Sequence, residues 1–277
     1  MILDGKLVRE EILNKIKEKI KTEALEIKLA IILVGDDEAS KIYIKNKEKY
    51  CNYVGIKTTK YLFAGNTSEN EIIELIQRLN NDTSVTGIIL QSPVPKQIDF
   101  DKVTNLIDSN KDVDGFTKEN IYNLYLGRKT ILPCTVKGII KLLEYYNIPI
   151  EGQDIVIIGR GNIVGHPLSL ALQNKNATVS VLHTHTKDLE KFTKEADILI
   201  SAAGCAHLVK DYMVKKNAVV IDVGVSRKGD KIVGDVDFEN VKNIASAITP
   251  NPGGVGPMTV AMIIDNLVEL KERSKNG

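Results

Sequence analysis

The chain has 277 residues, 43% of them hydrophobic and 26% charged, a globular composition on a length that exceeds one comfortable hydrophobic core, so two domains are expected. Lys and Arg number 37 against 36 Asp and Glu, and a net charge of +1 leaves no global field to hold a polyanion, which argues against nucleic acid as a partner. Cys51, Cys134 and Cys205 are far apart with no Cys-x-x-Cys or Cys/His cluster, so neither a disulfide framework nor a metal is expected; the start turns charged at once and no stretch is long enough to span a bilayer, so a cytosolic protein away from membranes is expected.

Leu7, Ile12, Ile16 and Ile20 mark a first amphipathic helix. The apolar run Leu29–Val34, closed by Gly35-Asp36-Asp37, predicts a buried strand, and a charged helix follows over about 39–54. Strand 56–63, helix 68–80 and strand 86–91 continue the alternation. The pattern restarts with helix 136–147, strand 154–158, helix 163–173, and strands 178–183, 197–201 and 218–223, ending in a helix from about Met258 to Lys271. Such alternation is that of βαβ units with mostly parallel sheets, an α/β fold. The domain boundary is expected between 120 and 150, where Pro133 and the Pro149/Gly152 turn interrupt the pattern.

Residues 154–167 carry a strand that ends at Gly159, a turn containing Gly161, and Gly165 in the following helix. A tight strand-to-helix turn needs glycine, and a pyrophosphate must approach the backbone N–H groups of the helix start closely. The spacing is G-x-G-x-x-x-G rather than G-x-G-x-x-G, and a turn with no ligand can look the same. NAD-specific sites place an acid at the end of the next strand, about 20 residues on. Here that end reads His183-Thr184-His185-Thr186, and Arg160 stands inside the turn. A guanidinium with hydroxyls opposite suits a 2′-phosphate and favours NADP; the alternative is a solvated arginine and two surface histidines.

Ser40, Tyr43 and Lys47 follow i, i+3, i+7 spacing on one helix face. Tyrosine beside lysine can stack an aromatic ligand and handle a proton, although such a pair on a lysine-rich helix is also what a solvated stripe looks like. Strand 86–91 ends in Gln91 and the proline turn Ser92-Pro93-Val94-Pro95, and Lys111–Phe116 is an acidic turn. Ligands of open parallel sheets gather at the carboxyl ends of strands, so Gln91 is expected at the same rim as the helix starting near Glu38. Asp112 and Asp114 also suit a plain Asx turn.

Taken together, these segments resemble the bifunctional methylenetetrahydrofolate dehydrogenase/methenyltetrahydrofolate cyclohydrolase family over nearly the whole chain. The resemblance rests on Val34–Ser40 with Tyr43 and Lys47, Gln91–Pro95, Lys111–Phe116, Pro133-Cys134-Thr135, the turn at 159–167, and Ile248–Thr259. It implies a folate-binding catalytic domain over 1–120, completed by a linking helix 135–147 and a C-terminal helix 258–277. It implies an NADP-binding domain over 121–277 with a Rossmann-like parallel-sheet core at about 148–257, and a cleft between the two. Lys47 would be the general acid/base, Tyr43 would stack on the folate, Gln91 would hydrogen-bond Lys47, and Asp114 would hold the pterin's aminopyrimidine edge. Ser40, Pro93, Pro252, Gly253, Gly256 and Thr259 would complete the substrate site. Gly159, Arg160, Gly161, Gly165, Thr184 and Val225 would contact the cofactor NADP. The implied reactions are oxidation of 5,10-methylenetetrahydrofolate by NADP and hydration of the methenyl product to 10-formyltetrahydrofolate, with tetrahydrofolate derivatives as ligands, a homodimer as the assembly and purine biosynthesis among the processes served.

The residue types suit that chemistry. Hydride leaves a carbon flanked by nitrogen lone pairs, which needs alignment more than an acid or base. Hydration needs a proton-transfer group, and a carboxylate can accept two N–H donors from a pterin. Three departures stand out: Gly161 replaces the usual Ser and removes a hydroxyl from the expected 2′-phosphate pocket, Val136 replaces a Pro, and Asn251 replaces the Val of Thr-Pro-Val-Pro. An NAD-preferring or dehydrogenase-only relative is the alternative enzyme, and a non-catalytic dinucleotide sensor is the alternative of another class.

Overall fold

A computed structural model describes residues 1–229 and 231–275; residues 276 and 277, included in the expected last helix, lie outside the described residues. The chain runs α1 (Gly5–Thr22), β1 (Lys28–Val34), α2 (Glu38–Val54), β2 (Lys57–Phe63), α3 (Glu69–Asn81) and β3 (Gly87–Leu90). Two short helices, α4 (Phe100–Thr104) and α5 (Lys118–Tyr125), lead to α6 (Cys134–Tyr145). Then follow β4 (Asp154–Ile158), α7 (Gly165–Gln173), β5 (Thr178–Leu182), α8 (Leu189–Thr193), β6 (Ile198–Ser201) and β7 (Val219–Asp222). A hairpin of β8 (Ser226–Lys228) and β9 (Lys231–Val233), α9 (Phe238–Val241), β10 (Ala247–Ile248) and α10 (Val255–Lys275) close the chain. The chain divides into two compact units, Glu11–Cys134 with Val260–Gly277, and Met1–Glu10 with Thr135–Thr259. Both are α/β units built on parallel sheets, as the alternation predicts.

The first unit holds a three-stranded sheet in the order β2-β1-β3, with both pairings parallel. β1 is buried from Leu29 to Val34 and β3 throughout, because helices and loops cover both faces of a parallel sheet. Ala30, Ile32 and Ile88 pack against Ile72, Leu75, Ile76 and Leu79 of α3. That helix starts in a capping box, Ser68 with Glu71, which satisfies two of its orphan N–H groups. At its other end Lys111 Nζ donates to the carbonyls of Leu79, Asn80 and Asp82 at 2.8, 2.8 and 2.7 Å. Burial pushes the Lys111 ammonium below its usual range. Pinned there, residues 111–113 run beside β3 as a short parallel extension, with Ile88 N donating to Lys111 O at 2.8 Å and Ile88 bridging Asp112.

The second unit holds a five-stranded parallel sheet in the order β10-β7-β6-β4-β5. From β4 the chain goes to β5 on one side and to β6, β7 and β10 on the other, so the order reverses between β4 and β6. Ligands of open α/β sheets bind beyond the carboxyl ends of strands at such a switch point. Ile2 joins the opposite edge by a parallel bridge to Ile248, with Leu3 N donating to Ile248 O at 2.9 Å.

One expectation for α1 is corrected. Leu7 is 47% exposed, and the buried stripe runs through Val8, Leu13, Ile16 and Ile20. Spacing alone admits either stripe, and neighbouring packing decides between them.

Candidate active site

α2 is placed by its cap. Asp37 accepts from Ser40 N at 2.7 Å, and that backbone hydrogen bond holds the Asp37 carboxyl below the usual range. With the start fixed, Ser40, Tyr43 and Lys47 fall on one face. Ser40 is buried and donates its hydroxyl to Ser92 O at 3.3 Å, which ties α2 to the loop after β3. Tyr43 is 56% exposed, so its ring is available to stack. Lys47 Nζ donates to Gln91 Oε1 at 3.0 Å. Gln91 follows directly on β3, its N–H bonded to Ile32 O at 2.8 Å, and its own amide donates to Ser92 O at 2.7 Å. The orientation of its side chain is therefore fixed at both ends, with the carbonyl oxygen facing the ammonium. Pro93 is exposed on the same loop.

Asp112 and Asp114 have different environments. Asp112 is 1% exposed and accepts from Gly115 N, Thr117 N and Asn120 Nδ2 at 2.9, 2.8 and 2.9 Å, so it builds the turn, as the Asx reading has it. Asp114 is half-buried, and its polar contact is the Cys134 thiol, 3.8 Å from Oδ1. Burial pushes the Asp114 carboxyl above the usual range; the Lys47 charge pulls it down, and the neighbouring Asp112 charge adds to the rise. Lys47, Gln91 and Asp114 thus meet at one rim of the three-stranded sheet. Sequence reasoning missed Asn266, which is fully buried on α10 and donates to Val113 O at 2.9 Å and Leu132 O at 3.0 Å. It steadies the backbone on both sides of the Asp114 turn. A lone amide inside the apolar run of residues 260–268 was the available signal.

The second unit carries the other expected positions. Gly159 has φ +112°, and a Cβ there would lie 2.3 Å from Ala202 O; a Cβ at Gly165 would lie 2.1 Å from Gly159 O. Only glycine allows the helix to start this close to the strand end. Gly161 is different: a Cβ there meets nothing within 4 Å. Gly165 opens α7, and Val164 at its cap supplies no side-chain hydrogen bond; His166 N is turned back onto Gly161 O at 3.1 Å and Pro167 has no N–H, so in the first turn Gly165 N is the donor left for an anion. Arg160 is exposed and forms no ion pair among the described residues. Desolvation, then the Arg160 charge, then His185, hold the His183 imidazole below its usual range, so the arginine lies close to this loop. Thr184 and Val225 are exposed beside strands β5 and β8. These features fit a dinucleotide carrying an extra phosphate: a turn that a Cβ at Gly159 or Gly165 would fill, the Gly165 N–H at the helix start, and a cation without a carboxylate partner.

Pro252 and Gly256 are exposed, Gly253 accepts from Gly5 N at 3.0 Å, and the Thr259 hydroxyl lies 3.1 Å from that of Thr135, all within this unit. Asn251 Nδ2 donates to Gly224 O at 2.6 Å, so the polar replacement tethers a neighbouring loop. Two buried carboxylates that sequence reasoning missed tie the strand ends together. Asp235 accepts from Ser201 Oγ and from Ala203, Gly204 and Cys205 N, and Asp222 accepts from Asp235 N and Val236 N. Burial pushes the Asp222 carboxyl up to about 6 against those bonds. Among the described residues no group of three His, Cys, Asp or Glu could hold a metal, and no helix is long and apolar enough to cross a membrane.

The comparisons agree over both units. The family described as tetrahydrofolate dehydrogenase/cyclohydrolase, catalytic domain, matches residues 3–114, and its NAD(P)-binding domain matches residues 133–275. The bifunctional protein FolD of Agathobacter rectalis is 50% identical over 276 residues, covering 98% of this chain and 99% of that protein. The crystal structure of the bifunctional FolD enzyme from Campylobacter jejuni superposes with a TM-score of 0.97 at 48% identity, covering 99% of each chain. The Trypanosoma brucei enzyme, solved with NADP cofactor and an inhibitor, gives a TM-score of 0.95 at 31% identity, covering 100% of this chain and 99% of that one. The chain therefore belongs to the tetrahydrofolate dehydrogenase/cyclohydrolase family.

Proposed function

We propose that this chain oxidises 5,10-methylenetetrahydrofolate with NADP and then hydrates the methenyl product to 10-formyltetrahydrofolate, with Lys47, Tyr43, Gln91 and Asp114 carrying the chemistry. The observation that carries the assignment of residues is the 3.0 Å contact between Lys47 Nζ and Gln91 Oε1, with the Asp114 carboxyl within reach of the same ammonium's field.

NADP, when bound, accepts the hydride from the bridging methylene carbon. Adjacent nitrogen lone pairs stabilise the cation left behind, so the protein's task in that step is alignment. Asp114 accepts two N–H donors from the aminopyrimidine edge, and Tyr43 covers a ring face. Ser40, Pro93, Pro252, Gly253, Gly256 and Thr259 line the remaining substrate surface. In the second step water adds to the methenyl carbon and loses a proton, and the bond from that carbon to N5 breaks as N5 takes up a proton and the new hydroxyl gives up its own to become the formyl oxygen, one proton being released overall. Lys47 is the proton-transfer group, and Gln91 holds its ammonium where the one-carbon bridge sits. Gly159, Gly161 and Gly165 let the pyrophosphate reach the α7 start, Arg160 and Thr184 take the 2′-phosphate, and Val225 covers the cofactor surface.

The folate-binding domain is assigned to 1–120 with the helices at 135–147 and 258–277, and the NADP domain to 121–277. A homodimer in the cytosol, supplying formyl groups to purine synthesis, completes the proposal; sedimentation equilibrium tests the dimer. For the activity, purified protein is given methylenetetrahydrofolate and NADP while methenyl absorbance and formyl product are followed. Both should rise in sequence, and absence of NADP-dependent oxidation overturns the assignment. A clear preference for NAD in kcat/KM would favour the NAD-dependent alternative and overturn the role given to Arg160.

A further inference from the structure

We infer that His183 is a specificity-determining residue for the 2′-phosphate, taking up a proton as that phosphate binds, so that discrimination between NADP and NAD grows as the solution becomes more acidic. This rests on the NADP reading of the same site.

The turn after β4 leaves a gap. Gly161 offers no hydroxyl, and a Cβ there would meet nothing within 4 Å, so there is open space next to Arg160. The residues after β4 and β5 leave the sheet side by side, Gly159 N donating to Leu182 O at 2.8 Å, so the loop 183–186 lies beside the turn that carries Arg160. That loop is a closed turn, with Thr186 N donating to His183 O at 2.8 Å and His183 N donating to Thr186 Oγ1 at 2.9 Å. Inside it, His185 N donates to His183 Nδ1 at 3.2 Å, and the two rings stand edge to face at 6.1 Å. With Nδ1 accepting, the neutral His183 ring carries its proton on Nε2, where it can donate to an anion, and a second proton enters at Nδ1 as the 3.2 Å contact from His185 N opens.

The charges acting on His183 are Arg160, from the turn between β4 and α7, and His185 on its own loop. Lys187 and Asp188 follow along the same loop, and no carboxylate hydrogen-bonds either imidazole among the described residues. Desolvation, then the Arg160 charge, disfavour the imidazolium while the site lacks an anion. A phosphate dianion reverses that balance, so the ring's affinity for a proton must rise on binding. By linkage, a group whose pKa rises on binding strengthens binding below its free-state pKa, and the gain fades as pH climbs through the bound-state value. A tenfold rise in the ring's proton affinity on binding corresponds to about tenfold in affinity for the phosphate.

The test compares 2′,5′-ADP with 5′-AMP, which lacks the 2′-phosphate, by titration calorimetry at about pH 8.5 and about pH 6 in two buffers of different ionisation heat. The affinity ratio of wild type should rise towards acid by up to about tenfold relative to His183→Gln. Wild type should also bind more protons per 2′,5′-ADP than H183Q. The phosphate's own titration is common to both proteins and cancels. Retained 5′-AMP binding shows that H183Q is folded; independently, the His183 Cε1–H resonance of wild type should titrate at higher pH with 2′,5′-ADP than without. Equal proton uptake by both proteins, or an unmoved resonance, overturns the inference while leaving NADP binding standing. Failure of 2′,5′-ADP to bind better than 5′-AMP at any pH overturns the NADP reading together with it.

Discussion

The two sites are made of different material. The proposed cofactor turn is backbone: Gly159 and Gly165 matter for the atoms they lack. The proposed folate site is side chain: an ammonium from α2 bonded to an amide that follows β3, and the Asp114 carboxylate from the turn at 112–117 that Asp112 builds. A backbone site tolerates no added atom where main chain packs on main chain, as at Gly159 and Gly165, but accepts side chains at open positions such as Gly161. A side-chain site tolerates small shifts in shape but no change of functional group. Substitutions should therefore damage different properties, stability and binding in one, chemistry in the other.

Four substitutions can break or sharpen that contrast. Lys47→Met should lower hydration of methenyltetrahydrofolate by about a thousandfold with thermal stability unchanged, while oxidation falls less; stopped-flow absorbance separates the two steps. Gly159→Ala should cost about 3 kcal/mol, roughly a hundredfold in NADP affinity or the equivalent in stability of the second unit, because the added Cβ meets a backbone carbonyl and the backbone is in the left-handed region. Denaturant melts and calorimetry read it. Asp114→Asn should weaken folate binding by about 2 kcal/mol, roughly thirtyfold, through an unmatched N–H donor. Since burial raises the Asp114 carboxyl, wild-type folate affinity should fall with falling pH from above the ordinary carboxylate range, and the variant should lose that inflection. Gly161→Ser should be the mildest: with open space at that position the hydroxyl fits, and NADP affinity should rise about threefold with little change for NAD. A loss of stability there would contradict the division between the two sites.

Much of the fold was legible because it is written in local pattern. The run Leu29–Val34 and the segment Asp154–Ile158 form strands as their apolar residues predict, and the glycines at 159 and 165 mark a strand-to-helix turn. What the pattern did not carry is long-range. Nothing in Lys111–Val113 says that it lies along β3, because its pairing depends on a lysine buried against the end of α3. The role of Asn266 is likewise decided by partners more than a hundred residues away, and the outward orientation of Leu7 by packing that spacing does not carry. Tyr43 and Lys47 could be placed on a common helix face, but the contact of Lys47 with Gln91 could be expected only through the rule that strand ends gather ligands. Asp222 and Asp235 gave no local signal of their roles, since the first lies near the end of the expected strand 218–223 and the second in a stretch with no assigned element.

The pairing of Ile2 with Ile248 has a consequence for how the protein can be cut. A fragment beginning at Thr135 retains all five parallel strands yet leaves β10 with a bare row of main-chain groups on its outer side, because the segment that covers them is supplied from the far end of the sequence. Unprotected strand margins of this kind invite pairing with other molecules. Excising the dinucleotide half for separate expression would therefore yield a sticky product unless residues 1–10 were grafted back.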